Sequence, residues 1–425
     1  MSIVLNPHVT TLKESSTLAI NQKAMRLRQE GKKVYHFGFG QSPFEVPPSV
    51  QEALMQNTHH KQYLPTLGLP ELREQICAFY KSNYGYSFSP ESIIIGPGSK
   101  ELIFQAVFVL EGALIIPAPS WVSYGPQAHL RGKQVVAVPT KRANGYKLTP
   151  EELDATCMNL ISDKQKILIL NNPNNPTGNV YTKKEVQELA KVCKFHNVVV
   201  ISDEIYSLVN FSDEPIHSFM LEYPEGTIVT SGLSKGFSAG GYRLGFLATA
   251  KELSPLIDCL KAMISETFSA VSAPIQYASI KAFSLEDDVL KYVQSCTRIH
   301  KAVGKYMYKR FIDMGLNCVE PHGAFYLYPD FENFKEKLEK IGVTTSTQMC
   351  DMLLDKAGVA VLPSEDFYHS KYYLSCRVAT VDYDGAHVYS ESLKVDSLDE
   401  DFLKKHAPNI VDGCDAIEEF LKNLN

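Results

Sequence analysis

Through the middle of the chain, short unbroken apolar runs alternate with longer stretches in which apolar positions recur every three or four residues. The runs at 92–96, 113–117, 166–170, 197–203 and 227–229 are rich in Val and Ile; Gly96, Pro117 and Asn171 close the first three, and Asp203 closes the fourth. This pattern predicts strands buried on both faces, as in a parallel sheet. The stretches at 101–110 and 182–196 predict amphipathic helices between them, the second opened by a capping pair, Thr182 and Glu185. Residues 12–30 read as a helix with capping hydroxyls at Ser15, Ser16 and Thr17, a basic face (Lys23, Arg26, Arg28) expected to be solvated, and a stop at Gly31. A strand over 34–40 then runs into a proline-broken crossing at 41–48. Further on, a long helix is expected over 286–314, a second sheet from Pro321, and a late strand over 373–380. Alternating strands and helices predict an α/β fold.

Length changes this picture: 425 residues exceed one compact core and suit two domains. Charge excludes some partners. A net −6 with acids and bases interspersed offers no basic patch for nucleic acid or an anionic membrane. No apolar run reaches the ~18 residues a spanning helix needs. Pro7 interrupts the N-terminal run before a signal-like core forms, so a cytoplasmic protein is expected. Nine scattered cysteines without a Cys-x-x-Cys pair indicate reduced thiols and no metal framework.

The candidate chemistry centres on 227–249. After the apolar run come Ser231-Gly232-Leu233-Ser234-Lys235, then Gly240-Gly241, then Tyr242-Arg243-Leu244-Gly245. Small residues around a lysine allow a flat cofactor to approach its backbone. An amine nucleophile with an anion-binding arginine nearby suits a phosphorylated aldehyde held as a Schiff base. The turn Pro97-Gly98-Ser99-Lys100 at a helix start offers free N–H groups to a phosphate. It lacks the spacing of a nucleotide loop, which excludes ATP there. Asp203 ends an apolar strand, where a buried carboxylate is costly unless paired, for example with a protonated ring nitrogen. Trp121, the only tryptophan, follows a strand end, where open α/β sheets bind ligands.

The run from Gly232 to Gly245 resembles the lysine signature of the class I/II pyridoxal 5'-phosphate (PLP) aminotransferases. Asn175-Pro-Thr-Gly, Asp203-Glu-Ile-Tyr206 and the segment at 119–124 resemble further motifs of that family, in order, across about 12–380. The opening of the chain is similar to prokaryote-type aspartate aminotransferases. The resemblance implies fold type I: a large domain at 48–290 with a mainly parallel seven-stranded sheet flanked by helices, and a smaller α+β domain from 1–47 and 291–425. It implies that Lys235 is catalytic and carries PLP. Ser99, Lys100, Ser234 and Arg243 would lie at its phosphate, Asp203 at its ring nitrogen, Asn175 and Tyr206 at its phenolic oxygen, and Trp121 against its ring. Tyr63 and Ser269 would reach the phosphate of a neighbouring subunit, which implies a homodimer with shared sites. Gly40, Trp121, Asn175 and Arg377 would meet the substrate, although Gln41-Ser42 departs from the family's usual acidic dipeptide. The expected reaction moves an amino group between an L-amino acid, aspartate or glutamate, and a 2-oxo acid. Aromatic or neutral donors, or a PLP lyase of the same fold, are the alternatives. Lys100 stands where such enzymes read a second carboxylate, or else serves the phosphate. The polar, acidic stretch at 382–412 is longer than the family's and is read as an extended tail region without an assigned function.

Overall fold

The computed structural model describes residues 3–160, 165–284 and 286–424. Its central sheet has seven strands: β1 (Ile93–Gly96), β2 (Ala113–Ala118), β3 (Val135–Pro139), β4 (Lys166–Asn171), β5 (Val198–Asp203), β6 (Thr227–Gly232) and β7 (Gly245–Thr249). Their order across the sheet is β1-β7-β6-β5-β4-β2-β3. β7 runs antiparallel to both neighbours, and the other pairs are parallel. Both faces are covered, which is why the strands are apolar without alternation. Ile167 and Ile169 of β4 pack with Leu102 and Ile103 of the helix Ser99–Val109 on one face. Leu168 and Leu170 pack with Val186 and Leu189 of the helix Lys183–Phe195 on the other. That helix is capped as expected, by reciprocal Thr182 and Glu185 bonds.

The registers bring the strand ends side by side. Asn171 of β4 stands opposite Asp203 of β5, and Asp203 opposite Thr230 of β6. The carboxyl edge of a parallel sheet is where such folds place their ligands.

A second core gathers both ends of the chain. Tyr35–His36 pairs in parallel with Val359–Ala360. Beside it, Leu362–Pro363, Cys376–Ala379 and Tyr326–Leu327 form a three-stranded antiparallel sheet. The helix Asp287–Asp313 belongs to both cores: Val289 and Val293 pack under the large sheet, while Ile299, Val303, Met307 and Phe311 pack under the small one.

Four expectations need revision. The first long helix is Ser16–Gln29, and its N-cap Ser15 makes no side-chain capping bond. Of the strand expected over 34–40 only Tyr35–His36 pairs; the remainder enters the crossing beside the site. The acidic stretch at 382–412 is folded structure. It forms the helices Gly385–Ser392 and Glu400–His406 and leads into Pro408–Lys422. Asp384 and Asp399 are N-caps, and Val388, Phe402, Leu403 and Ile410 are buried in the second core. The acids hid a helical apolar stripe. The basic face of the first helix is also partly engaged, with Lys23 on Asp351 at 3.3 Å and Arg28 on Asp382 at 2.9 Å. Among the described residues no helix is long and apolar enough to cross a membrane.

Candidate active site

A cavity of about 320 Å³ opens at the carboxyl ends of β4, β5 and β6 and is closed from the other side by the second core. Lys235 leaves the loop after β6 and points into it. Its Nζ donates to the Gly40 carbonyl at 2.6 Å and lies 5.7 and 5.6 Å from the Tyr206 and Phe325 ring centres. Burial, then the nearby Arg377 and Arg243 cations, bring its pKa down from 10.5 to about 7. The amine is therefore substantially neutral, hence nucleophilic, at ordinary pH. Gly40 must be glycine here, since an added Cβ would stand 1.9 Å from the Tyr326 hydroxyl.

Asp203 closes β5 and is 3% exposed. It accepts from the Tyr124 hydroxyl at 2.6 Å, and from the Ile205 N–H and the Thr230 hydroxyl at 3.4 Å each. Burial outweighs these bonds and raises its pKa to about 6. It remains an anion at neutral pH and faces the cavity, ready for a cationic N–H.

Arg377 is 1% exposed and forms no ion pair among the described residues. Its Nη2 donates to the Gly38 carbonyl at 2.6 Å and its Nη1 to Asn175 Oδ1 at 3.4 Å; its Nε has no partner among the described residues. The guanidinium lies over Tyr326 at 4.8 Å and Phe367 at 5.3 Å. A buried guanidinium without a carboxylate is expensive, and a ligand anion would relieve that cost. Beside it the Tyr206 and Tyr326 hydroxyls are 2.8 Å apart, with Asn175 Nδ2 3.5 Å from Tyr206.

At the other end, Gly98 caps the helix Ser99–Val109 at φ +94°, and an added Cβ would come 2.6 Å from Arg243 Nη2. Arg243 stands at φ +52°, in the turn before β7 and outside the strand itself. It donates to the Gly240 and Pro97 carbonyls at 3.0 Å each. Lys100 Nζ lies 5.1 Å from the Trp121 ring centre, and burial followed by Arg243 lowers its pKa. Helix N-terminus, Arg243, Lys100, Ser99 and Ser234 thus converge on one end of the cavity, a donor set suited to a phosphate.

Gly40, Ser99, Lys100, Trp121, Asn175, Asp203, Tyr206, Ser234, Lys235, Arg243 and Arg377 all line this cavity. Tyr63 and Ser269 do not: Tyr63 is 95% exposed, and Ser269 is exposed in a left-handed turn at φ +59°. Sequence reasoning missed Tyr124, Tyr326 and Asn171, which hold Asp203, Tyr206 and Asn175 in place. Tyr124 opens the helix Tyr124–Leu130 three residues after Trp121, and Tyr326 lies in the aromatic run 325–328, the one local signal each carries. It also missed Ser15, Thr17 and Leu18, which line the mouth.

Fold and site together define an α/β protein with a lysine in a cavity at the sheet's carboxyl edge, Arg243 toward one end and Arg377 toward the other. The chain belongs to the class I and II aminotransferase family, whose model matches residues 32–384. It is 32% identical over 372 residues to the aspartate aminotransferase of Bacillus subtilis (strain 168), covering 85% of this chain and 91% of that one. It is 31% identical to the asparagine–oxo-acid transaminase of Streptococcus mutans over 377 residues, with 85% and 92% covered. The solved Thermus thermophilus aspartate aminotransferase with maleate superposes at a TM-score of 0.82 and 27% identity, over 92% of this chain and 98% of that one.

Proposed function

We propose that the cavity holds PLP on Lys235 and that the enzyme moves the amino group of aspartate or glutamate to a 2-oxo acid. The observation that carries this is a lysine sharing one cavity with a buried arginine that has no carboxylate partner among the described residues. When bound, the cofactor supplies an aldehyde for the amine and a ring that withdraws electrons from the substrate α-carbon. Lys235 would hold that aldehyde through its amine and, when free, would serve as the base and acid for the proton of the substrate α-carbon. A pKa of about 7 makes both its forms available for this exchange. Asp203 would hold a proton at the ring nitrogen, Asn175 and Tyr206 would bond the phenolic oxygen, and Trp121 would cover the ring. Ser99, Ser234, Arg243 and the helix N-terminus would bind the phosphate. Arg377 grips the substrate α-carboxylate with its planar fork, and Gly40 borders the same place.

A homodimer completes this reading. Tyr63 and Ser269, turned outward, would serve the partner's phosphate. The exposure of Tyr63, unusual for a large aromatic side chain, supports that assignment. We divide the chain at 47/48 and 290/291, the second cut falling within the helix Asp287–Asp313 that both cores share.

A panel of amino donors, read through the absorbance of reconstituted PLP, tests the reaction. Aspartate and glutamate are expected to convert the cofactor fastest; asparagine, alanine and phenylalanine are the comparisons. Absence of any donor-driven spectral change would overturn the assignment. Lys100 decides the side-chain question. If it reads the second carboxylate, Lys100→Ala lowers kcat/KM for aspartate about 10²-fold, the scale of a lost buried charge partner, while alanine turnover changes little. Equal loss for both donors, with weaker PLP retention, would place Lys100 on the phosphate instead.

A further inference from the structure

The turn Ser364–Phe367 of the small sheet ends in two side chains that the proposed reaction does not use. Tyr368 stands at φ +71°, a conformation unfavourable for any residue with a Cβ. Its side chain reaches from the small sheet to the segment after β2. There its hydroxyl donates to the Val122 carbonyl at 3.0 Å and accepts from the Gly125 N–H at 2.7 Å. An added Cβ at Gly125 would come 2.7 Å from the tyrosine ring, so bare backbone is what admits it. His369 grips the start of the same segment. Its Nε2–H donates to the Ala118 carbonyl at 3.0 Å, and its Nδ1 accepts from the Tyr328 hydroxyl at 3.2 Å. Between the two, the Ser120 N–H donates to the Phe367 carbonyl at 3.2 Å.

The segment held in this way carries Trp121 on the cavity wall and Tyr124, whose hydroxyl reaches Asp203. The holding turn continues from Leu362–Pro363, the strand paired with the one that carries Arg377. We propose that Tyr368 and His369 are positioning residues. They form a strap that sets Trp121 and Tyr124 at the ring face in fixed relation to the Arg377 clamp. This rests on the reading of the cavity as a PLP site. The strap acts on the ring wall and leaves the carboxylate clamp untouched, so its loss slows turnover and loosens PLP without weakening the grip on the donor.

The tryptophan makes this testable, because Trp121 is the only one in the chain and its emission reports this segment alone. Tyr368→Phe removes one hydroxyl and keeps the ring. In the cofactor-free protein, acrylamide quenching of Trp121 is expected to rise about two-fold as the segment loosens. In the reconstituted enzyme, half-saturating PLP rises about five- to ten-fold, the scale of a lost hydrogen-bonding group. At saturating PLP, kcat falls while KM for the donor stays within about two-fold. Gly125→Ala, which displaces the ring from the other side, is expected to reproduce the quenching change. Unaltered quenching in both folded variants overturns the strap. Raised quenching with no effect of PLP on the emission of any form leaves the strap standing and counts against the PLP reading instead.

Discussion

Lys235→Ala is expected to lose transamination by at least about 10⁴-fold, because a covalent anchor and a proton carrier disappear in one change. The cofactor would still bind non-covalently, since Arg243, the turn at Gly98, Asp203 and Trp121 remain around the cavity. Retained absorbance of bound PLP without donor-driven turnover is the expected result; turnover near that of the parent would move the catalytic role elsewhere. A second readout needs no cofactor. The folded pKa of about 7 lies below the ordinary 10.5, so between those values the unfolded chain binds a proton that the folded one does not. The stability of the cofactor-free parent therefore rises with pH across that window, and the penalty of burying this amine is fully present below pH 7. Lys235→Met fills the same space without a charge. Its melting temperature is expected to exceed the parent's most at or below pH 7, with the gap narrowing toward pH 10.5. Parallel melting curves across that range would show that Lys235 is hydrated and no different from a surface lysine.

Asp203→Asn is expected to slow the half-reaction with aspartate by about 10²- to 10³-fold, the scale of removing a preorganised group from a developing charge. Asparagine keeps the volume and can still accept from Tyr124, so the strand end is preserved. It cannot hold a proton on a ring nitrogen. The variant also loses a carboxylate that burial drives up to about 6, so the cofactor-free form is expected to be at least as stable as the parent at pH 7. Slower chemistry with undiminished stability marks a functional carboxylate; a structural one would lose stability. Single-turnover rates within a few-fold of the parent would leave Asp203 without its proposed role.

The contrast between what sequence reveals and what it conceals follows contact range. The strands of the large sheet were legible because each is buried on both faces and so carries its own apolar signature, as in Ile167 to Leu170. Lys235, Asp203 and Arg243 were legible because each breaks an apolar or small-residue setting with a charge. Tyr124, Tyr326 and Tyr368 were not assigned, since each acts on a residue dozens or hundreds of positions away and no local period encodes such a meeting. Ser15 was read as a cap because a hydroxyl before a helix usually is one; here it lines the cavity mouth and makes no capping bond. The helices after Gly385 were obscured by their own acids: charge dominates the composition, while Phe402, Leu403 and Ile410 decide the fold.

The pairing of Tyr35–His36 with Val359–Ala360 has a consequence for synthesis. A ribosome releases the first strand long before its partner, while all seven strands of the large sheet emerge in between. The large sheet can thus assemble during translation with Lys235 and Arg243 already in place, but Gly38 and Arg377 meet only after residue 377 has emerged. Contacts of such long sequence separation form late and slowly. Lys235, Asp203 and Arg243 can therefore be set at the edge of the large sheet before Arg377 emerges to join them around the cavity.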